Sequence, residues 1–201
     1  DKTGNVTAYT DEEARTTKFT YTNNGLLSSV KNAMGKKTRF SYDKKGDLAT
    51  ITDAAEHVYA YSRDILGRIT QITYPDKTKE AFAYSGGGRM TAYTNRRSET
   101  LQYAYDVTGK LEWKTYQDGE KQHYLYDDRG MLVSVEHLDA SGSTVVADAW
   151  EYDLSKRLTY TRQTIAGSED TLDFSYAYDS ANNRTFLSYP DGYGEIGRAH
   201  V

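Results

Sequence analysis

The sequence has no cysteine, which excludes disulfide scaffolds and thiolate metal sites. It has no apolar run near the roughly 20 residues that cross a bilayer as a helix, and the residues from Asp1 onward are polar, unlike a secretory leader. No membrane span is expected. It also lacks an excess of basic residues. With 25 Lys and Arg against 29 Asp and Glu, the net charge is -4, which leaves no electrostatic footprint for nucleic acid. Finally, it is poor in the usual core residues: Leu, Ile, Val and Phe together number 33 of 201, below the roughly one fifth under which a chain is suspected of disorder. Disorder also wants high net charge and few aromatics. Here the net charge is small and tyrosine alone contributes 19 residues, so a core must be built largely from tyrosine.

Those tyrosines recur with a strict period. Gly4, Gly25, Gly46, Gly67, Gly88, Gly109 and Gly130 lie 21 residues apart. Four residues ahead of each from Gly25 onward stand Tyr21, Tyr42, Arg63, Tyr84, Tyr105 and Tyr126, so that Arg63 alone departs. Two residues earlier the side chain is always aromatic: Phe19, Phe40, Tyr61, Phe82, Tyr103 and Tyr124. Aspartate often follows the second position, at Asp43, Asp64, Asp106 and Asp127. Two further units, around Trp150, Tyr152 and Asp153 and around Tyr176, Tyr178 and Asp179, stretch the period to 26 and carry Lys156 and Asn182 where glycine stood. Their extra residues fall within Asp139–Asp148 and Ile165–Asp173, which read as lengthened surface loops.

The unit, aromatic-x-Tyr-Asp-x-x-Gly, reads as a β-hairpin. Alternation puts both rings on one face of a strand. Aspartate accepts from nearby backbone N–H groups and glycine takes a positive φ, which makes a turn. Apolar residues two and five after the glycine (Leu27 and Val30, Leu48 and Ile51, Ile69 and Ile72) mark the return strand. A spacing of three does not fit simple alternation, so either a bulge shifts the face or both faces are buried. Second turns are visible at Pro75-Asp76, Asp118-Gly119 and Pro190-Asp191-Gly192. The expected fold is all-β, an array of sequential hairpins. One hairpin buries too little to offset its chain entropy, so stability must be collective, as in solenoids. Strand twist should make the array curl.

The recurring unit resembles the YD repeat of Rhs proteins, wall-associated bacterial proteins, the encapsulating subunits of Tc toxins, and the teneurins. The resemblance runs from Asp1 to about Tyr193 and implies a spiral β-sheet wound into a hollow shell. In bacterial members that shell encloses a toxic C-terminal domain of the same polypeptide; in teneurins it serves adhesion. The family's self-cleaving, Asp-Pro-rich region has no counterpart, so none of its protease residues is carried over. The expected function is therefore a non-catalytic shell segment, partnered by the remaining shell and by the toxin domain of the parent chain, secreted or associated with a bacterial envelope. The array is expected over residues 1–194. Residues 195–201 break the register, resemble one reading frame of a sequencing-adapter end, and read as a non-native tail.

No chemistry-bearing constellation competes with this reading. His57, His123, His137 and His200 form no ligand pair, so no metal or cofactor is expected. Gly86-Gly87-Gly88 fills a turn slot and lacks the following Lys-Ser/Thr of a phosphate loop. Asp127-Asp128 and Glu169-Asp170 read as solvated hairpin ends rather than calcium ligands. Arg63 reads as a stem laid over aromatics. The alternative function is a glycan-binding or adhesion array using exposed rings, but such arrays lean on tryptophan, and this chain has only Trp113 and Trp150.

Overall fold

A computed structural model describes residues 1–196. Residues 197–201, most of the expected tail, lie outside the described residues. Among the described residues every element is a strand. The chain divides into two compact units, Asp1–Glu99 and Thr100–Val201.

The first unit holds β1 (Ala8–Thr10), β2 (Thr16–Tyr21), β3 (Leu27–Lys31), β4 (Lys37–Tyr42), β5 (Leu48–Thr52), β6 (Val58–Arg63), β7 (Ile69–Thr73), β8 (Lys79–Tyr84) and β9 (Met90–Thr94). Each pairs antiparallel with the next in chain order. The second holds β10 (Thr100–Tyr105), β11 (Leu111–Thr115), β12 (Lys121–Tyr126), β13 (Leu132–Leu138), β14 (Thr144–Tyr152), β15 (Leu158–Ile165), β16 (Thr171–Tyr178), β17 (Arg184–Ser188) and β18 (Gly194–Ile196). It follows the same rule. Neither unit has a second layer in its topology, and burial is correspondingly thin. Among the described residues only Val135 and Ser29 are buried, and no large side chain is buried completely.

The spacing of three is a bulge. In the first hairpin Phe19 opposes Val30 and Thr20 opposes Ser29, but Tyr21 opposes Leu27, which leaves Ser28 as the extra residue. The shift repeats: Phe40 faces Ile51 and Tyr42 faces Leu48, while Tyr124 faces Val135 and Tyr126 faces Leu132. One additional residue restores both apolar side chains to the face that carries the rings. The opposite face carries hydroxyl pairs that satisfy one another across strands. Thr20 Oγ1 lies 2.6 Å from Ser29 Oγ, and Ser41 Oγ lies 2.6 Å from Thr50 Oγ1.

Turns at both ends of the strands share one geometry. The Asp43 N–H donates to Asp47 O at 2.9 Å and the Gly46 N–H to Asp43 O at 3.1 Å, with Gly46 at φ 91°. Asp43 Oδ1 accepts from the Lys45 and Asp47 N–H groups at 2.8 and 3.0 Å. This is a type I turn closed by a left-handed residue, the usual three-residue hairpin loop. At the other end of the strands the same bonds form around Asp11, Asn32, Asp53, Tyr74 and Asn95, where Ala14, Glu56, Lys77 and Ser98 hold positive φ without being glycine.

The lengthened units differ from the expected surface loops. The turn after β13 is the standard one, spanning Asp139–Ser143, and Thr144–Asp148 already belong to β14. Strands that have five or six residues elsewhere have seven, nine, eight and eight from β13 to β16. The Thr-Val-Val-Ala run at 144–147 is good strand sequence. A second bulge next to Leu138 absorbs the odd residue. Pairing a longer strand satisfies backbone groups that a loop would leave to water.

Candidate functional site

The repeat-signature residues meet along the Asp-x-x-Gly rim. Between neighbouring hairpins the ladder is short: β3 and β4 pair only from Lys31–Lys37 to Ser29–Arg39. Beyond that point the strands run on toward their turns without ladder pairs, and carbonyls there need other donors. The signature tyrosine supplies them. Tyr42 Oη donates to Leu27 O at 2.7 Å, Tyr84 Oη to Ile69 O at 2.9 Å, and Tyr126 Oη to Leu111 O at 3.0 Å, with Tyr21 Oη likewise on Val6 O at 2.7 Å. The acceptor is always the residue two after the preceding glycine. Each of these four tyrosines therefore packs in its own hairpin and ties it to the chain before it.

Arg63 reproduces the tie with different chemistry. Its guanidinium donates to Leu48 O at 3.5 Å, the carbonyl a tyrosine would reach, and to Gly67 O at 3.1 Å. Its Nε is buried without a partner. The expected stacked guanidinium is thus a hydrogen-bonded one, with a long bond and an orphaned donor. Arg63→Tyr should restore the phenol bond and remove the orphan, raising stability by about 1 kcal/mol. A urea midpoint unchanged or lowered would contradict this.

A second tie runs along the same rim through the residue after the glycine position. Arg68 Nε binds its own turn aspartate, Asp64, at 2.7 Å, while its guanidinium lies 4.6 Å from the Tyr84 ring centroid and donates to Ser85 O at 3.2 Å. Arg157 repeats the arrangement with Asp153, Tyr178 and Asp179 O. Lys110 sits 5.0 Å over Tyr126. Cations over ring faces add to the packing.

Several turn aspartates are held below the ordinary carboxylate value. For Asp43 and Asp127 the main cause is the backbone N–H of Asp47 and of Met131; for Asp106 and Asp179 it is the side chains of Thr108 and Asn183. All of these bonds favour the ionised form. At Tyr126 burial pushes the phenol pKa up, so it remains a donor. Where aspartate is missing, Thr22 Oγ1 and Ser85 Oγ accept the equivalent N–H bonds from Leu26 and Arg89 at 3.1 and 3.2 Å.

The structure also places the residues considered for chemistry. Gly88 closes an ordinary turn on Ser85 O at 3.0 Å. His57 lies 3.0 Å from Asp53 in its own turn. His123 and His137 project from adjacent strands at successive positions, hence to opposite faces. Among the described residues no group of three or more His, Cys, Asp or Glu is placed to hold a metal, and no helix is long and apolar enough to cross a membrane. His200 lies outside the described residues.

Sequence comparison agrees with this rim. The RHS Repeat family model matches residues 23–55 and 42–79, which contain five of the turns and two of the phenol or guanidinium ties described above. Residues 23–79 match the RHS repeat. No curated protein matches the sequence. Among solved structures, TcdB2-TccC3 without its hypervariable C-terminal region superposes with a TM-score of 0.65 over 89% of this chain, at 16% identity. The Photorhabdus luminescens Tc holotoxin pore, with a point mutation in TccC3, superposes with a TM-score of 0.60 over 90% at 16% identity. This chain spans about a tenth of the length of each, 10% and 11%. The fold is shared with these structures.

Proposed function

We propose that this chain is a non-catalytic stretch of β-sheet wall in a longer polypeptide, whose RHS-repeat shell encloses a C-terminal toxic region of the same polypeptide. The observation that carries the reading is the rim of tyrosine-to-carbonyl ties. These bonds join hairpins where the ladder has run out, which is what a wall needs and a set of independent hairpins does not. Two features suit a barrier. Backbone groups are paired from strand to strand, and turns with the five-residue geometry recur at both ends of the strands, so among the described residues no long loop opens the sheet. The fold shared with TcdB2-TccC3, which has a hypervariable C-terminal region, supports the choice of an enclosed partner over a glycan. The setting that follows is extracellular or envelope-associated.

In this reading the signature residues, from Phe19, Tyr21 and Gly25 through Tyr176, Tyr178 and Asp179, act as a structural unit. The array occupies residues 1–194 and leaves 195–201 outside it, although Glu195 and Ile196 continue β18. The test is limited proteolysis of the full parent polypeptide at neutral pH. The region that follows the repeats should resist trypsin while the sheet is folded and become sensitive once urea unfolds it. Digestion at the same rate before and after unfolding would sink the proposal.

A further inference from the structure

On the face opposite the aromatic ladder, the second unit carries a cluster that the repeat pattern does not explain. Trp113 of β11 and His123 of β12 are cross-strand partners, and their rings stack with centroids 4.0 Å apart and 6° between planes. On the other side of His123, its partner on β13 is Glu136, and His123 Nδ1 lies 3.2 Å from Glu136 Oε2. The His123 side chain is only 19% exposed. Register places Ala104 of β10 opposite Trp113 and Ala147 of β14 opposite Glu136, so small residues flank the trio. The charged groups near it are Glu136, Lys121 two residues back on β12, and Glu112 beside Trp113 on β11.

We propose that Trp113, His123 and Glu136 form a proton-operated clasp across three strands. With a neutral imidazole the trio is a ring stack and one hydrogen bond. Protonation at His123 places a cation against the Trp113 ring face and opposite the Glu136 carboxylate, which strengthens both contacts at once. Histidine is the side chain whose charge changes in the mildly acidic range. The clasp therefore tightens β11–β13 when the imidazole gains its proton.

The sequence has two tryptophans, so Trp150→Phe leaves Trp113 as the reporter. In that background, emission of the full chain should fall about twofold as pH drops from about 8 to about 5, because a protonated imidazole in contact quenches indole. Adding His123→Gln should flatten the titration. Adding His137→Gln, which alters the other face, should leave it intact. Amide protection factors in β11–β13 should rise several-fold on acidification, and Glu136→Gln, which keeps the stack, should reduce that rise. A flat titration in the Trp150→Phe chain overturns the clasp. So does a titration that survives His123→Gln or disappears with His137→Gln, or a protection gain that Glu136→Gln leaves unchanged.

Discussion

Acidification from pH 6 to pH 3 should destabilise this sheet. Asp11, Asp43, Asp53, Asp64, Asp106, Asp127, Asp139, Asp153 and Asp179 each open a turn, and each is held below the ordinary value of 3.8. A carboxyl whose folded pKa is depressed contributes stability that is present above its unfolded pKa and is lost as pH falls through the folded one. The loss therefore begins near 3.8 and deepens below it. These groups are exposed, so each contribution is screened and small; the large effect comes from nine of them acting in one cooperative array. The urea midpoint should hold steady from about pH 6 to pH 5 and collapse toward pH 3. Asp43→Asn should blunt the collapse slightly, because Asn95 Oδ1 accepts the same two turn N–H bonds at 2.9 and 3.1 Å without a charge to lose. Equal midpoints at pH 6 and pH 3 would show that the turns do not depend on ionised aspartate.

Tyr126 separates the two jobs of the signature tyrosine. Tyr126→Phe removes only the bond to Leu111 O and should cost about 1 kcal/mol. Tyr126→Ala also removes a half-buried ring opposite Leu132 and under Lys110, and should cost about 3 kcal/mol, the low end for large-to-small aromatic changes. Both are read by urea unfolding at neutral pH. Equal effects would mean that the ring contributes nothing beyond its hydroxyl, and no effect from phenylalanine would mean that the tie between hairpins is dispensable.

Much of this was legible in the sequence because a period multiplies weak signals. One Tyr-Asp-x-x-Gly is a common accident, whereas three complete copies and three near-copies in one 21-residue register specify hairpins, the ring-bearing face and one row of turns. The bulge was not decidable, since a spacing of three between Leu27 and Val30 suits either a shifted face or two buried faces until a partner strand fixes the register. The second row of turns was only partly visible, because Ala14, Glu56 and Ser98 adopt a backbone normally signalled by glycine. Five extra residues near Asp139 looked like a loop because turn-forming residues surround them, yet pairing extended the strands. The tie from Tyr42 to Leu27 is a constant fifteen residues back, but a constant offset carries no meaning until the gap between hairpins is seen. Trp113 and His123 become neighbours only through the turn at Tyr116–Glu120 and the register that it sets.

The standard turn survives in the first lengthened unit, at Asp139–Ser143 and again at Asp153–Arg157, and its extra residues enter the strands between. Repeat number and strand length are thereby two independent dimensions of the sheet. Adding units extends the ribbon along its length; adding residues inside a unit broadens it on the side away from the tyrosine ties, with a bulge taking up any odd residue. A polypeptide of this kind can change the breadth of its sheet locally and keep the same rim turns, as at Asp153–Arg157 and Asp179–Asn183.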